Sequence, residues 1–440
     1  YCVWRSGPNL SHKDYWNSVM DHFPDDVVAM RCALDSFPEK AVLGFRTASN
    51  VAERLAKLGY DLRVVASSKC TEIVLGIPTV QDVDAAKSAA LQAGASREWL
   101  DKMPAGQTAV CGELQRGEGP VLVLRFDMDA LPVHESDAGE HRPAVAGFAS
   151  QCEGRMHACG HDGHTAIGLA VAERLAHVKS QWTGTLRFIF QPAEEGGRGA
   201  QPIVASGLLD DVDVFLAAHL GCQLPSGQIA LSADGFLWAE KWNVTFTGTA
   251  AHAAMCPEEG RNALLAASLA VPGLYALPRD GQSDTRINVG LFQAGRTRNV
   301  IADHAYLELE LRASAQQGLQ RLTEGARRML EGAALSQGVH VDIDVYGTAI
   351  SAQSDDAIMR RLEAAVHETR AGTVVRNWPI GGGDDATFMM QRVQERGGHA
   401  GYCLIGADIA APHHASLFDF DENVLEKAVN LLATFVERST

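Results

Sequence analysis

No run in this 440-residue chain approaches the roughly 20 apolar positions that a membrane-spanning helix needs. The first ten residues show neither the basic start nor the apolar stretch of a secretory signal. Cysteine is scarce: nine residues, an odd number, scattered and with no C-x-x-C pair, which reads as reduced thiols of a cytoplasmic protein rather than a disulfide framework. Positive charge is in deficit, 38 Lys and Arg against 54 Asp and Glu, for a formal net charge of -16. That field repels phosphate backbones, so neither nucleic acid nor an anionic membrane is expected as a partner. A carboxylate-bearing small molecule would need locally placed Arg, His or backbone N–H groups. Internal repeats and low-complexity tracts are also missing.

What is present is an ordinary globular composition, 46% hydrophobic and 21% charged, in a chain longer than one domain usually is. Compact apolar runs at 121–126, 186–190 and 214–218 read as buried strands, with a helix over 165–178 between the first two. Residues 50–58 read as an amphipathic helix and 62–66 as a strand. The stretch 67–108 looks like a helix-leaning insertion, with helices over 80–93 and 97–103. Buried strands alternating with helices predict an α/β domain, a mostly parallel sheet with helices on both faces. After residue 236 the period changes. Strands at 241–249, 286–292, 305–313 and 340–346 and helices at 262–277 and 317–336 give β-α-β-β-α-β, the order of a ferredoxin-like α+β unit. Pro272 is expected to kink or split the first of those helices. The predicted organisation is a discontinuous domain, 1–235 and 350–440, with 236–349 inserted.

Four motifs carry chemistry. In MHACGHDGHT at 156–165, Cys159 and His161 offer thiolate and imidazole, both good ligands for zinc and its neighbours. His157 and His164 read instead as surface or satisfied core histidines. FQPAEEGG at 190–197 sets Glu194 and Glu195 side by side directly after a buried strand. Adjacent carboxylates repel unless a cation is near, and that end of an α/β sheet is where ligands bind; the plainer reading is a solvated acidic turn. AAHL at 217–220 puts His219 at another strand end, and PHH at 412–414 supplies His414. Five ligands, one able to bridge, suit two metals better than one catalytic zinc, which normally takes three plus water. Upstream, RFDMDALP at 125–132 ends a strand with Asp127 and Asp129. Asp129 is placed to accept the free N–H of a ligating histidine, or merely caps the next turn.

Together these motifs resemble the amidohydrolase branch of the co-catalytic metallopeptidases, relatives of glutamate carboxypeptidases, aminoacylases, hippurate hydrolases and plant auxin-conjugate hydrolases. The likeness runs from about Arg31 to the C-terminus and is carried by 156–168, 189–196, 246–253, 289–300, 384–390 and 418–422. It implies a zinc-peptidase-like catalytic domain and a lid and dimerisation domain. It further implies two divalent ions per subunit, manganese or zinc with cobalt also suited, bridged by Cys159 and completed by His161, Glu195, His219 and His414. Glu194 would be the general base and acid. His252, in TAAH at 249–252, would reach the partner subunit's site, in a homodimer or a heterodimer with a related subunit, and stabilise the oxyanion. Arg298 and Asn299 match a substrate-binding segment; Arg312 and the loop with Gly382 and Gly383 are weaker candidates for holding a substrate carboxylate. Asp35 stands where many relatives carry a histidine. GGGDD at 381–385 and Ala415 to Leu417 also depart from the common pattern, which leaves the substrate open.

The expected reaction is hydrolysis of the amide of an N-acyl or N-aroyl amino acid by hydroxide held on the dinuclear site, with Glu194 taking the proton. Two alternatives stand beside it: hydrolytic deamination of an aryl amine by the same nucleophile, and a non-catalytic subunit of a two-subunit hydrolase.

Overall fold

The computed structural model describes residues 26–65, 74–104, 107–177 and 181–440. It divides into two compact units. The first comprises the described residues up to Asp234 together with Ala352–Ile380 and Asp385–Thr440; the second comprises Gly235–Ser351 and Gly381–Asp384.

In chain order the first unit carries α1 (Val27–Asp35), α2 (Phe45–Lys57), β1 (Asp61–Val64), α3 (Val80–Gln92), α4 (Arg97–Asp101), β2 (Val110–Arg116), β3 (Val121–Asp127), α5 (Arg142–Ala146), α6 (His161–Ala176), β4 (Gly184–Gln191), α7 (Ala200–Ala205), β5 (Val214–Leu220) and β6 (Gln228–Asp234). The second unit follows with β7 (Trp238–Thr247), α8 (Ala263–Tyr275), β8 (Thr285–Ala294), β9 (His304–Ala313), α9 (Gln316–Gln337) and β10 (His340–Ala349). The first unit then resumes with α10 (Asp356–Thr369), β11 (Thr373–Pro379), α11 (Ala386–Glu395), β12 (His399–Ile405) and α12 (Asn423–Ser439).

Eight strands of the first unit form one mixed sheet in the order β1-β2-β4-β3-β5-β12-β6-β11. Its centre, β4-β3-β5-β12, is parallel throughout. Sequence explains why. The 121–127 and 214–220 runs, VLVLRFD and VFLAAHL, are mostly apolar and are buried on both faces, as strands covered by helices on each side must be. Parallel alignment gathers the C-terminal ends of β3, β4, β5 and β12 along one edge, where an open α/β sheet binds its ligands. Helix α6 packs against β3 and β4 so closely that a Cβ on Gly168 would lie 2.7 Å from Phe126 and 2.8 Å from Phe190. That approach brings the first turn of α6, with His161, to the same edge.

The second unit is a four-stranded antiparallel sheet, β10-β7-β9-β8, with α8 and α9 on one face. Trp242, Val244, Phe246, Leu307, Leu309 and Leu311 point into that layer, each two residues from the next along its strand. Pro272 does not split α8. The helix runs on to Tyr275 and the Pro272 carbonyl accepts the Ala276 N–H at 3.0 Å. The loop Gly381–Asp384, read from sequence with the first domain, belongs to this unit: Gly382 O accepts the Leu237 N–H at 3.1 Å. Strands β2 and β6 escaped the sequence reading because VCGELQR and QIALSAD carry small or polar residues inside the run. Residue 66, the end of the first predicted strand, and part of the insertion lie outside the described residues. Six described cysteines are free thiols, Cys159 among them. No helix among the described residues is long and apolar enough to cross a membrane.

Candidate metal centre

Five side chains far apart in the chain converge at the edge formed by the central strands. Cys159 lies two residues before the start of α6 and His161 opens it; His219 is the penultimate residue of β5; Glu195 follows β4; His414 lies in the loop after β12. Ligand atoms of Cys159, His161 and His219 all lie within 4.8 Å of one another, and so do those of Cys159, Glu195 and His414. The two triads share Cys159.

The histidine tautomers are set by fixed acceptors. His161 Nδ1 donates to the Asp129 main-chain carbonyl at 2.8 Å, and His219 Nδ1 donates to the Leu220 carbonyl at 2.7 Å. Each ring therefore presents its Nε2 lone pair inward, the orientation metal-ligating imidazoles take. His219 Nε2 stands 3.5 Å from Cys159 Sγ, and His414 Nε2 is 3.3 Å from Glu195 Oε2.

Asp129 performs its orienting task through the backbone. Its carboxylate, 3.7 Å from His161 Nδ1, instead accepts the N–H of Glu194 at 2.9 Å and of Glu195 at 3.3 Å. One residue thus holds a histidine with its carbonyl and the two-glutamate turn with its side chain. Glu194 Oε2 lies 3.9 Å from His161 Nε2, beside the first triad. Behind the site, buried Arg125 donates to Gln191 at 2.8 Å and to Asp127 at 2.7 Å. Asp127 in turn accepts from His164 Nδ1 at 2.5 Å, and His164 Nε2 accepts the Leu220 N–H at 2.9 Å. Both nitrogens of His164 are thereby used, so it is a satisfied core histidine. Asp385 ties Gln191 (2.6 Å) to the start of α7 through the Gly199 and Ala200 N–H groups (2.9 Å each).

These residues fit a divalent cation on two counts. His161 Nε2 is buried with no hydrogen-bond partner, a costly state that a cation would relieve. The potential is also negative: burial alone would pull His161 down, yet Asp127 foremost holds its pKa well above the ordinary histidine value. By the same balance, burial and then Glu195 push the Cys159 thiol well above its usual range. Backbone strain concentrates here as well. Of the six described non-glycine residues with positive φ, four (Ala193, Cys222, Gln223 and His414) lie in or beside the cluster.

One neighbour was missed by sequence reasoning. His413, adjacent to the chosen His414, sets its Nδ1 3.6 Å from Cys159 Sγ. The HH doublet was the available signal, but sequence cannot say which ring turns which way.

The remaining predicted residues lie in the second unit. His252 is exposed, and its Nδ1 accepts the N–H groups of Ala254 (3.2 Å) and Met255 (3.1 Å), leaving Nε2–H free to donate. Its loop is stitched to that of Arg298 and Asn299 by an Ala253 N–H to Asn299 carbonyl bond at 3.1 Å and a bridge between His252 and Val300. Arg298 and Asn299 are exposed. Arg312 is engaged by Glu310 on its own strand at 2.9 Å. Gly382 and Gly383 sit against Leu237 and Ala349, a structural seam of that unit.

Residues 123–438 match the sequence pattern of peptidase family M20/M25/M40. The chain is 41% identical over 420 residues to an indole-3-acetyl-aspartic acid hydrolase of Enterobacter agglomerans, covering 95% of this chain and 96% of that one. It is 40% identical over 430 residues to one of the subunits of p-aminobenzoyl-glutamate hydrolase from Escherichia coli strain K12, covering 97% and 94%. Among solved structures, an aminobenzoyl-glutamate utilization protein from Klebsiella pneumoniae superposes with a TM-score of 0.79 at 33% identity, over 96% of this chain and 98% of that one. A Bacillus subtilis protein described as a dinuclear metal binding peptidase of the M20 family shares the fold, at 23% identity and a TM-score of 0.61 over 97% and 98% of the two chains.

Proposed function

This chain belongs to peptidase family M20/M25/M40, and from that premise we propose that it hydrolyses the amide joining an aromatic acyl group to an acidic amino acid, at a two-cation site with Glu194 as general base. As a member of this metal-dependent family it is an amide hydrolase of N-acyl amino acids. The observation that supports the finer reading is the pair of ligand triads sharing Cys159, with Glu194 beside His161. Cys159, His161 and His219 would hold one ion, and Cys159, Glu195 and His414 the other. The mixed sulfur, nitrogen and oxygen donors suit zinc or manganese, with cobalt as a substitute. When bound, such ions polarise a carbonyl and bring the pKa of water towards neutrality.

The protein's own residues supply the rest. Glu194 takes the proton from the attacking water and delivers it to the leaving amine nitrogen. Asp129 keeps that carboxylate in place by fixing its backbone N–H. His252, with Nε2–H outward, donates to the oxyanion that develops as the carbonyl becomes tetrahedral. In this reading it does so in the site of a second subunit. The dimer rests on an apolar face: Leu265, Leu269 and Tyr275 are exposed along one side of α8, and β8, with exposed Phe292, is a sheet edge. The substrate class is suggested by the two relatives above, whose names join an aromatic acid to aspartate or glutamate.

The test is Glu194→Gln. Two equivalents of metal should remain bound while kcat falls by about 10²–10⁴. Unchanged turnover, or loss of metal, would remove Glu194 from this role. Release of the free amino acid, with no ammonia, separates amide hydrolysis from aryl-amine deamination.

A further inference from the structure

We infer that His413 is a positioning residue that donates an N–H···S hydrogen bond to the bridging Cys159 thiolate, rather than a sixth metal ligand. The inference rests on the two-cation reading above.

The direction of the bond follows from the far side of the ring. His413 Nε2 accepts the main-chain N–H of Cys222 at 3.0 Å. A neutral imidazole that accepts at Nε2 carries its proton on Nδ1, and Nδ1 is the atom 3.6 Å from Cys159 Sγ. That distance is ordinary for a hydrogen bond to sulfur, and the Nδ1 lone pair a ligand would need is occupied by the proton. His219 is the converse case: its Nδ1 donates to a carbonyl, so its Nε2 lone pair is what faces the same sulfur.

Three features hold the ring in this pose. The chain reaches Cys222 through Gly221 at φ +75°, and a Cβ on Gly221 would sit 3.2 Å from His413 Nε2. Cys222 itself has φ +50°, unfavourable for a residue with a side chain, and this conformation aims its N–H at the ring. Phe418 packs on the outer side with ring centroids 4.8 Å apart. Backbone strain spent on orienting a single N–H is hard to explain if His413 only fills space.

The chemical consequence concerns charge. A thiolate shared by two cations is the strongest donor in the site, and a hydrogen bond withdraws some of its electron density, leaving the cations more electrophilic. Deleting the donor should enrich the sulfur and lower the energy of its charge-transfer absorption onto an open-shell ion.

The experiment loads wild type, His413→Leu and His413→Asn with cobalt(II) and records metal content with the thiolate-to-cobalt absorption band. Asn can place an amide N–H where Nδ1 was. His413→Leu should keep two cobalt ions with the band shifted to longer wavelength, and His413→Asn should lie near wild type. A band unmoved in His413→Leu with both ions bound overturns the proposal, as does loss of one cobalt equivalent from both variants, which would make His413 a ligand. The pose is also readable without a variant's folding: ¹⁵N correlation spectra of the zinc-loaded wild type should show His413 as the Nδ1–H tautomer, and the Nε2–H tautomer overturns the proposal. If wild type binds fewer than two ions, or Cys159→Ala retains the band, the two-cation reading has failed instead.

Discussion

Asp129 and His161 meet backbone to ring: the carbonyl oxygen of the first accepts from Nδ1 of the second at 2.8 Å, while the Asp129 carboxylate turns away to hold the N–H of Glu194. A substitution at Asp129 therefore spares the histidine contact and strikes the glutamates. Asp129→Ala should lower kcat and metal affinity each by about 10–100-fold, and Asp129→Asn, which keeps one carbonyl acceptor, should fall between. Metal competition and steady-state kinetics measure both. Equal losses in the two variants would mean that the one carbonyl acceptor of Asn does not substitute for the carboxylate, and wild-type behaviour of Asp129→Ala would remove the carboxylate from this role.

Metal uptake should release protons. In the metal-free protein, burial and Glu195 hold the Cys159 thiol well above its ordinary range, so it is protonated at neutral pH; a divalent cation reverses that balance. Calorimetric titration with zinc at pH 7 in buffers of different ionisation enthalpy should show proton release that diminishes in Cys159→Ser, where His161 still gives up its proton. Proton-neutral binding by the wild type would contradict Cys159 as a thiolate ligand.

Asp35 is a buried carboxyl with one oxygen unpartnered, and burial, only partly opposed by Arg31, raises its pKa well above the ordinary value. A raised folded pKa means that its contribution to stability is intact at acid pH and is lost as pH climbs through the folded value. Asp35→Asn should therefore stabilise the protein at pH 7–8 by roughly 1–3 kcal/mol and have little effect below the ordinary carboxylate range. Thermal melts across that range decide it; a gain independent of pH would place the cause elsewhere.

His252 should act on the other subunit. Glu194→Gln and His252→Ala, each inactive alone, should regain activity when mixed and allowed to exchange, because one hybrid site contains neither lesion. Leu269→Asp, on the exposed face of α8, should yield monomers by sedimentation and abolish turnover. Full activity in a monomer would dismiss the trans arrangement.

Much of this was legible in the sequence because the signals were local. Periods of two and 3.6 located the second unit's elements, and the apolar runs at 121–126, 186–190 and 214–218 gave three of the four parallel central strands of the main sheet, β12 being missed. The ligand candidates could be read because MHACGHDGHT and QPAEE concentrate ligand-type residues beside strand and helix ends. What stayed hidden depended on orientation. Asp129's carbonyl rather than its carboxylate meets His161, and His413 turns Nδ1 towards Cys159 only because Gly221 and Cys222 shape the opposing loop. No spacing rule encodes which nitrogen of a ring faces inward. The Gly381–Asp384 seam was likewise unreadable, since it rests on a hydrogen bond to Leu237, well over a hundred residues earlier in the chain.

The central claim is that Cys159 is shared by two cations. Anomalous diffraction from crystals of the manganese- or zinc-loaded protein tests it most directly. Two peaks should appear, both within bonding distance of Cys159 Sγ, one beside His161 and His219 and the other beside Glu195 and His414. A single peak, or a pair with Cys159 bound to neither, would contradict the account.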